Sequence, residues 1–480
     1  MQNKLPQTIG EIMSFFDGIS FHGIDLSWAL CDQFWNDYAV NSLHNHDRNK
    51  IAHMCLQLRY PFLLKQLRHH PNKPADISQA DVILLSAGVQ RSTLLSYPIL
   101  VELHPNPRLI VFTCEKPTVS VGTNQNHAFQ AEAAIPTLNY NSVPYSLQEW
   151  MQAVNQLWIP INRRTDELCR AYNFDFAYKI INSLCDGIAT ILRAEAILKL
   201  AHPKLVFTIF DRQSPSQFFI QAARQQNIQS VTLVHGLQRD GSFSESQWAP
   251  LVADRVIVWG EWMQSHFEKL GVPAKQISIG GYPRLITPNS TERETAILRM
   301  KASNWNGHDP VVLYISSSLN PQKSGLELFR KAQACLPQYY FMVRPHPQEP
   351  LSWYENNYPG GLARVQNPQE WTLSESLAMA DIVTGNASTA CLDAMLIGKP
   401  VILLQDRVSN YQNFPMLVDA VESKAISTAD TTDKLVTRIS SINHDNQNES
   451  AKFFIQKSAS CLGHEAACCS AAILKSILEA

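Results

Sequence analysis

Residues 204–236, KLVFTIFDRQSPSQFFIQAARQQNIQSVTLVHG, decide the fold. Leu205–Phe210 is a short apolar run. A helix-like segment, QFFIQAARQQN, follows it, and a second apolar run, VTLV, ends at His235-Gly236. Residues 255–284, RVIVWGEWMQSHFEKLGVPAKQISIGGYPR, repeat the pattern: a run, an amphipathic segment, another run. Short apolar strands alternating with amphipathic helices specify right-handed βαβ units and a mostly parallel sheet.

Upstream, strand signals stand at Asp81–Ser86 and Leu109–Thr113, and residues 10–75 and 146–200 carry helical spacing. Downstream, residues 287–309 are polar and read as an interdomain connection. The alternation then restarts. Val311–Ser316, Tyr340–Val343, Asp381–Thr384 and Val401–Leu404 read as strands. Helices are expected over Leu326–Cys335, from about Glu370, and up to Ile397. Residues 451–480 form one long helical pattern after a polar spacer. The expected fold class is α/β, with two doubly wound Rossmann-like units facing a cleft. Residues 1–78 are expected to be an N-terminal helical extension, 79–290 the first Rossmann-like domain and 291–450 the second. Residues 451–480 are expected to be a helix packing back on the first domain. In such sheets a ligand sits outside the carboxyl ends of the strands.

A chain of 480 residues implies two or three domains. The 45% apolar content suffices for sizeable cores, and 17% charged residues place it outside the disordered class. Forty basic against 42 acidic residues leave a formal charge of -2, which argues against a nucleic-acid partner. No apolar stretch reaches the roughly 18 residues of a membrane span. The opening MQNKLPQTIGEIMSFFDG lacks the basic and apolar blocks of a secretory signal. The ten cysteines are scattered without a CxxC pair, so reduced thiols in a cytoplasmic protein are expected, and no zinc ribbon.

The polar residues that could carry chemistry fall just after strands. His235, released by Gly236, can act as a general base or bond a phosphate. In Gly280-Gly281-Tyr282-Pro283-Arg284 the glycines permit close backbone approach, and Arg284 offers a planar fork to phosphate. In Arg344-Pro345-His346-Pro347 two prolines stiffen a loop that aims Arg344 and His346 at an anion. Residues 381–400, DIVTGNASTACLDAMLIGKP, read as strand, polar loop and helix. Ser388 and Thr389 fall at the helix start, where free N–H groups and the dipole favour an anion. Asp393, one turn on, could accept bonds from ribose hydroxyls.

Taken in order, HG after a strand, ADRVIVWGEWMQSHFEKLG with IGGYPR, RPHP, and ADIVTGNASTACLDAMLIGKPVI resemble the GT-B glycosyltransferases of bacterial surface-polysaccharide synthesis. Similar strings occur in capsule transferases and in the CDP-glycerol glycerophosphotransferases of teichoic acid synthesis. The resemblance covers residues 204–405 and leaves 1–200 without a motif. It implies transfer from a nucleotide-activated sugar, without metal or other cofactor, to an oligosaccharide or lipid-linked glycan. Peripheral association with the inner membrane face would suit a lipid-linked acceptor.

By the same resemblance Arg344, His346, Ser388 and Thr389 meet the donor phosphates on the second domain. Asp393 stands where such families usually carry the ribose-gripping Glu. His235 faces the acceptor from the first domain, and Asp211, after the run LVFTIF, is a second base candidate. The absence of a DxD string fits a mechanism in which protein cations and a helix end replace Mg²⁺. Three alternatives stay open: a polyol-phosphate transferase, a non-hydrolysing nucleotide-sugar epimerase, and a scaffold with a decayed site.

Overall fold

The structure, a computed structural model, describes residues 13–27, 30, 80–86, 90–104, 108–113, 137–140, 143–172, 177–212, 215–237, 249–284, 290–316, 324–347, 349–357, 364–405, 411–442 and 449–480. The first lobe opens on a two-stranded hairpin, β1 (Ser20–Phe21) and β2 (Ile24–Asp25). It continues through β3 (Val82–Ser86), α1 (Gln90–Leu103), β4 (Leu109–Thr113), β5 (Thr137–Asn139), α2 (Leu147–Tyr172) and α3 (Ala177–Ala201). Next come β6 (Leu205–Thr208), α4 (Ser216–Gln225), β7 (Gln229–Leu233), β8 (Arg255–Val258), α5 (Glu261–Lys269) and β9 (Ile277–Ile279).

The second lobe runs α6 (Ser290–Ala302), β10 (Val311–Ile315), α7 (Ser324–Cys335), β11 (Tyr340–Arg344), α8 (Leu351–Asn357), α9 (Leu373–Met379) and β12 (Ile382–Gly385). It ends with α10 (Thr389–Leu396), β13 (Val401–Leu404), α11 (Pro415–Glu422), β14 (Ser427–Ala429) and α12 (Thr432–Ser441). Two further helices close the chain, α13 (Glu449–Ser458) and α14 (Gly463–Glu479).

Both sheets are wholly parallel. The first has the order β5-β4-β3-β6-β7-β8-β9 and the second β11-β10-β12-β13-β14. The order therefore reverses between β3 and β6 in one lobe and between β10 and β12 in the other. Crevices open at such reversals, at the carboxyl edge. Every residue of β6, β10, β11, β12 and β13 is buried, because helices cover both sheet faces. One apolar cluster, running from Val82 through Trp259 and Val311 to Leu474, spans both lobes. Separate clusters fill the far face of each.

Three expectations need correction. Within the described part of the N-terminal stretch, residues 14–25 form a 3-10 turn and the β1–β2 hairpin rather than a helix, while Ser27 and Leu30 are helical, with Leu30 N–H donating to Leu26 O at 3.0 Å. The hairpin's turn places His22 and Gly23 at φ 50° and 74°, the backbone that a two-residue hairpin demands. The rest of the expected helical extension lies outside the described residues apart from Leu30. Second, the polar stretch after residue 287 contains α6, which packs on α9. It buries only Ala296 and Met300, so its apolar stripe is faint.

Third, the C-terminal pattern is two helices. Between them Ser460 N–H donates to Trp259 O, Tyr282 N–H to Cys461 O, and Gly463 N–H to Tyr282 O, each at 2.9 Å. The interruption thus adds backbone pairing to the first lobe. Beyond it α14 lies along α1, where Lys475 Nζ donates to Glu102 O at 3.2 Å. Among the described residues no helix is long and apolar enough to cross a membrane.

Candidate active site in the interlobe cleft

β7 leaves its sheet at Leu233, and the next residues carry His235 out over the carboxyl edge. The imidazole is half-buried, edge-on to Phe210 with ring centres 5.0 Å apart. Its Nδ1 lies 3.2 Å from Ile209 O. A carbonyl only accepts, so this bond requires the proton on Nδ1 and makes Nε2 the basic nitrogen. The same loop meets the second lobe: Leu237 N–H donates to Thr389 Oγ1 at 3.5 Å. A Cβ on Gly236 would stand 3.4 Å from that oxygen, an ordinary contact between the two lobes.

Thr389 opens α10. Ser388 is its N-cap, with extended backbone (φ -156°, ψ 158°) and Oγ accepting from Cys391 N–H at 3.3 Å. A hydroxyl at the N-cap is a strong helix-start signal. Both residues are half-buried, at the end of β12 beside the sheet's reversal point. The structure brings Thr389 against the loop that carries His235, from strands of opposite lobes.

Asp393 and Arg284 also lie between the lobes, but they engage each other. Asp393 is 0% exposed; its Oδ1 accepts from Tyr282 O–H at 2.8 Å. Arg284 Nη1 stands 2.8 Å from Oδ2. Burial pulls the Arg284 pKa down, yet the charge of Asp393 and the Tyr282 phenol together hold it above the usual arginine value. Burial, then Asp393, push the Tyr282 phenol well up, so it stays a donor. Asp393 is therefore an interlobe anchor and is corrected from its expected place on ribose. Tyr282, the other half of that anchor, was missed, although it sits inside the string IGGYPR.

Arg344 corrects a second expectation. It is 7% exposed, and its Nη1 donates to Trp371 O (3.0 Å), Thr372 O (3.2 Å) and Ser376 Oγ (2.9 Å). It ties the end of β11 to the start of α9. Its pKa is pulled down to about 10 by burial and then by the like charge of Arg284, against Glu375. Glu375 completes a capping box with Thr372 and pairs with Arg299 at 2.9 Å. Arg284, Arg299 and Arg344 thus face two carboxylates, Asp393 and Glu375, a formal excess of one positive charge at this wall.

His346 is half-buried in the loop after β11. Its N–H donates to Glu349 Oε2 at 2.9 Å, while Glu349 N–H donates to His346 O at 2.8 Å. Glu349 also accepts from Ser316 Oγ (3.0 Å), just past β10, and from Tyr354 O–H (2.6 Å). Sequence reasoning missed this carboxylate, which joins the loops of two neighbouring strands; only its place in the Pro-rich loop hinted at it.

Gly281 and Asp211 are corrected too. Gly281 has φ +79°, and a Cβ there would stand 2.4 Å from Cys461 Sγ and 2.7 Å from Ala466 Cβ. The space it opens is filled by the C-terminal segment rather than left for a phosphate. Asp211 is 3% exposed, and its Oδ2 accepts from Val252 N–H (2.8 Å) and Ala253 N–H (3.1 Å). Burial raises its pKa, against Arg212, those two amides and its own backbone N–H. It pins the loop before β8, and these bonds are made inside the lobe.

No known protein-family model matches the chain, and no curated protein matches its sequence. Solved structures do match. A UDP-N-acetylglucosamine 2-epimerase is 13% identical over 81% of this chain and 94% of that one, with TM-score 0.50. The two lobes make a GT-B fold. Also similar are the UDP co-structure of MnaA from S. aureus (11% identical, 80% of this chain and 93% of that one, TM-score 0.49) and the wall teichoic acid polymerase TagF (12%, 91% and 99%, TM-score 0.49). At such identities the likeness is one of fold. Among the described residues, groups able to ligate a metal do not gather in the cleft; their one cluster lies on the first lobe's helical flank.

Proposed function

We propose that the chain is a glycosyltransferase that moves a sugar from a nucleotide-activated donor to a surface-glycan acceptor. One observation carries the reading: the loop of His235, a base-competent imidazole, meets the N-terminus of α10 across the cleft through Leu237 and Thr389. The donor's diphosphate would lie at that helix end, taking bonds from Ser388, Thr389 and unpaired backbone N–H groups. The positive excess around Arg284, Arg299 and Arg344 would support it from behind, and His346 would reach it from the β11 loop. The acceptor would sit on the first lobe. His235 Nε2 would take the hydroxyl proton as the acceptor oxygen attacks the anomeric carbon. The bond from that carbon to the phosphate oxygen would break, and the nucleoside diphosphate would leave with the electron pair. Fixed dipoles aimed at the departing charge are the largest usual contribution to such catalysis. The protein would work in the cytoplasm, peripherally at a membrane if the acceptor is lipid-linked.

The test is a thermal-shift panel of UDP, GDP, CDP and CMP, followed by turnover assays with the matching donors. Stabilisation by one nucleotide, and transfer of its sugar to a glycan acceptor, are the expected results. Turnover with CDP-glycerol alone would replace the reading by polyol-phosphate transfer. Isomerisation of the donor without acceptor would replace it by epimerisation. Absence of any nucleotide binding would leave a scaffold.

A further inference from the structure

We propose that Glu102, His464 and Cys468 form a divalent-metal site, suited to zinc, that clips α14 to α1. The three side chains offer a carboxylate, an imidazole and a thiol whose ligand atoms all lie within 4.8 Å of one another. His464 and Cys468 are four residues apart on α14 and so share one helix face. Glu102 comes from the last turn of α1, which packs against it. His464 Nδ1 is 3.3 Å from Glu102 Oε1, Cys468 Sγ is 3.5 Å from Glu102 Oε2, and Cys468 Sγ is 3.7 Å from His464 Nε2.

Zinc bond lengths of ~2.0–2.3 Å at tetrahedral angles put neighbouring ligand atoms about 3.3–3.8 Å apart. The three approaches have such lengths but use both imidazole nitrogens and both carboxylate oxygens; with one ligand atom per residue the set lies within 4.8 Å, so the side chains must turn and close in to hold an ion. The imidazole now straddles its partners, one nitrogen toward each. Its side chain is 76% exposed, so nothing packed around it prevents the ring from turning one nitrogen inward. The fourth corner faces solvent and would take water. This donor set, one nitrogen, one sulfur and one oxygen, suits zinc better than magnesium or calcium, which prefer oxygen alone.

The place in the fold gives the site its role. α1 leaves β3 at the carboxyl edge and returns to the start of β4, so Glu102 lies at the opposite edge from the cleft. The ion would act as a staple between segments distant in sequence, with His464 one residue past Gly463, whose N–H donates to Tyr282 O. It would hold the segment that carries Cys461 against Gly280 and Gly281.

Cobalt reports both geometry and thiolate ligation. The full chain, stripped with a chelator and dialysed, is titrated with Co²⁺. The expected result is one tight equivalent with intense visible bands of tetrahedral Co²⁺ and a near-ultraviolet thiolate charge-transfer band, both abolished by Zn²⁺. Cys468→Ser should remove the charge-transfer band, and His464→Ala should weaken binding about tenfold or more. Cys469→Ser, one residue along, should change neither. All three positions are exposed, and circular dichroism checks that each variant folds. A wild-type chain without the thiolate band overturns the proposal, as does a Cys468→Ser spectrum identical to wild type or a Cys469→Ser variant that loses the band.

Discussion

The Tyr282 hydroxyl donates to Asp393 Oδ1 at 2.8 Å, joining residues 111 positions apart on opposite lobes in a fully buried contact. With Arg284 on the other oxygen, Asp393 holds the lobes at a fixed distance. Asp393→Ala leaves a largely buried guanidinium without its partner, a change that costs about 3–5 kcal/mol. Tyr282→Phe removes one charged hydrogen bond and should cost about 1.5–3 kcal/mol. Urea unfolding measures both. An Asp393→Ala chain as stable as wild type would remove the anchor role.

Gly281 gives a second contrast. At φ +79° and with Cys461 Sγ 2.4 Å from the virtual Cβ, Gly281→Ala adds a steric clash to backbone strain. The expected loss is about 2–4 kcal/mol. Gly271 has φ +88° but nothing within 4 Å of its Cβ position, so Gly271→Ala should cost only about 1 kcal/mol. Thermal midpoints of the two variants compare them directly. Equal losses would mean that the C-terminal segment yields, and that the close approach at Gly281 carries little stability.

Cys391 makes stability depend on alkaline pH. It is fully buried in α10, and burial, reinforced by Asp393 and opposed by Ser388, raises its thiol pKa from 9.0 to about 11. Between those values the unfolded chain releases the proton and the folded chain keeps it. Stability is therefore lost as pH rises through this window, by about 2–3 kcal/mol once it is crossed. Cys391→Ala lacks this slope. Unfolding free energies of both chains, measured across the window, should converge as pH rises; parallel curves would show that the thiol titrates normally.

The strands were legible because parallel strands covered on both faces read as unbroken apolar runs, as Val311–Ile315 does. β5, only Thr137–Asn139 and at the sheet edge, has no such run. α6 hid in a polar stretch because two buried residues are too few to mark a face. The break at residues 459–462 was unreadable for a different reason: Tyr282 and Trp259 set it, from positions some two hundred residues away. The cleft residues divide in the same manner. Ser388 and Thr389 announce themselves locally as a helix start. Whether Arg344 or Asp393 faces a ligand or an internal partner depends on Ser376, Trp371 and Tyr282, which no local pattern connects to them.

His235 and His346 separate the two halves of the proposed reaction. His346 meets Glu349 through its backbone N–H, a bond that survives His346→Ala, so the loop should keep its shape. Loss of its imidazole should weaken nucleoside diphosphate binding by about tenfold or more, the loss of one charged hydrogen bond. His235 lies on the other lobe, its Nδ1 tied to Ile209 O. His235→Ala should leave nucleotide affinity within about twofold and lower turnover by about 10²–10⁴, the usual share of a general base. The wild-type rate should rise as the imidazole loses its proton, and the variant should lose that limb of the pH profile. Calorimetric titration with the nucleotide and initial rates across pH supply the two readouts. If both variants lose nucleotide affinity alike, the imidazoles share one site, and the division of donor and acceptor between the lobes is wrong.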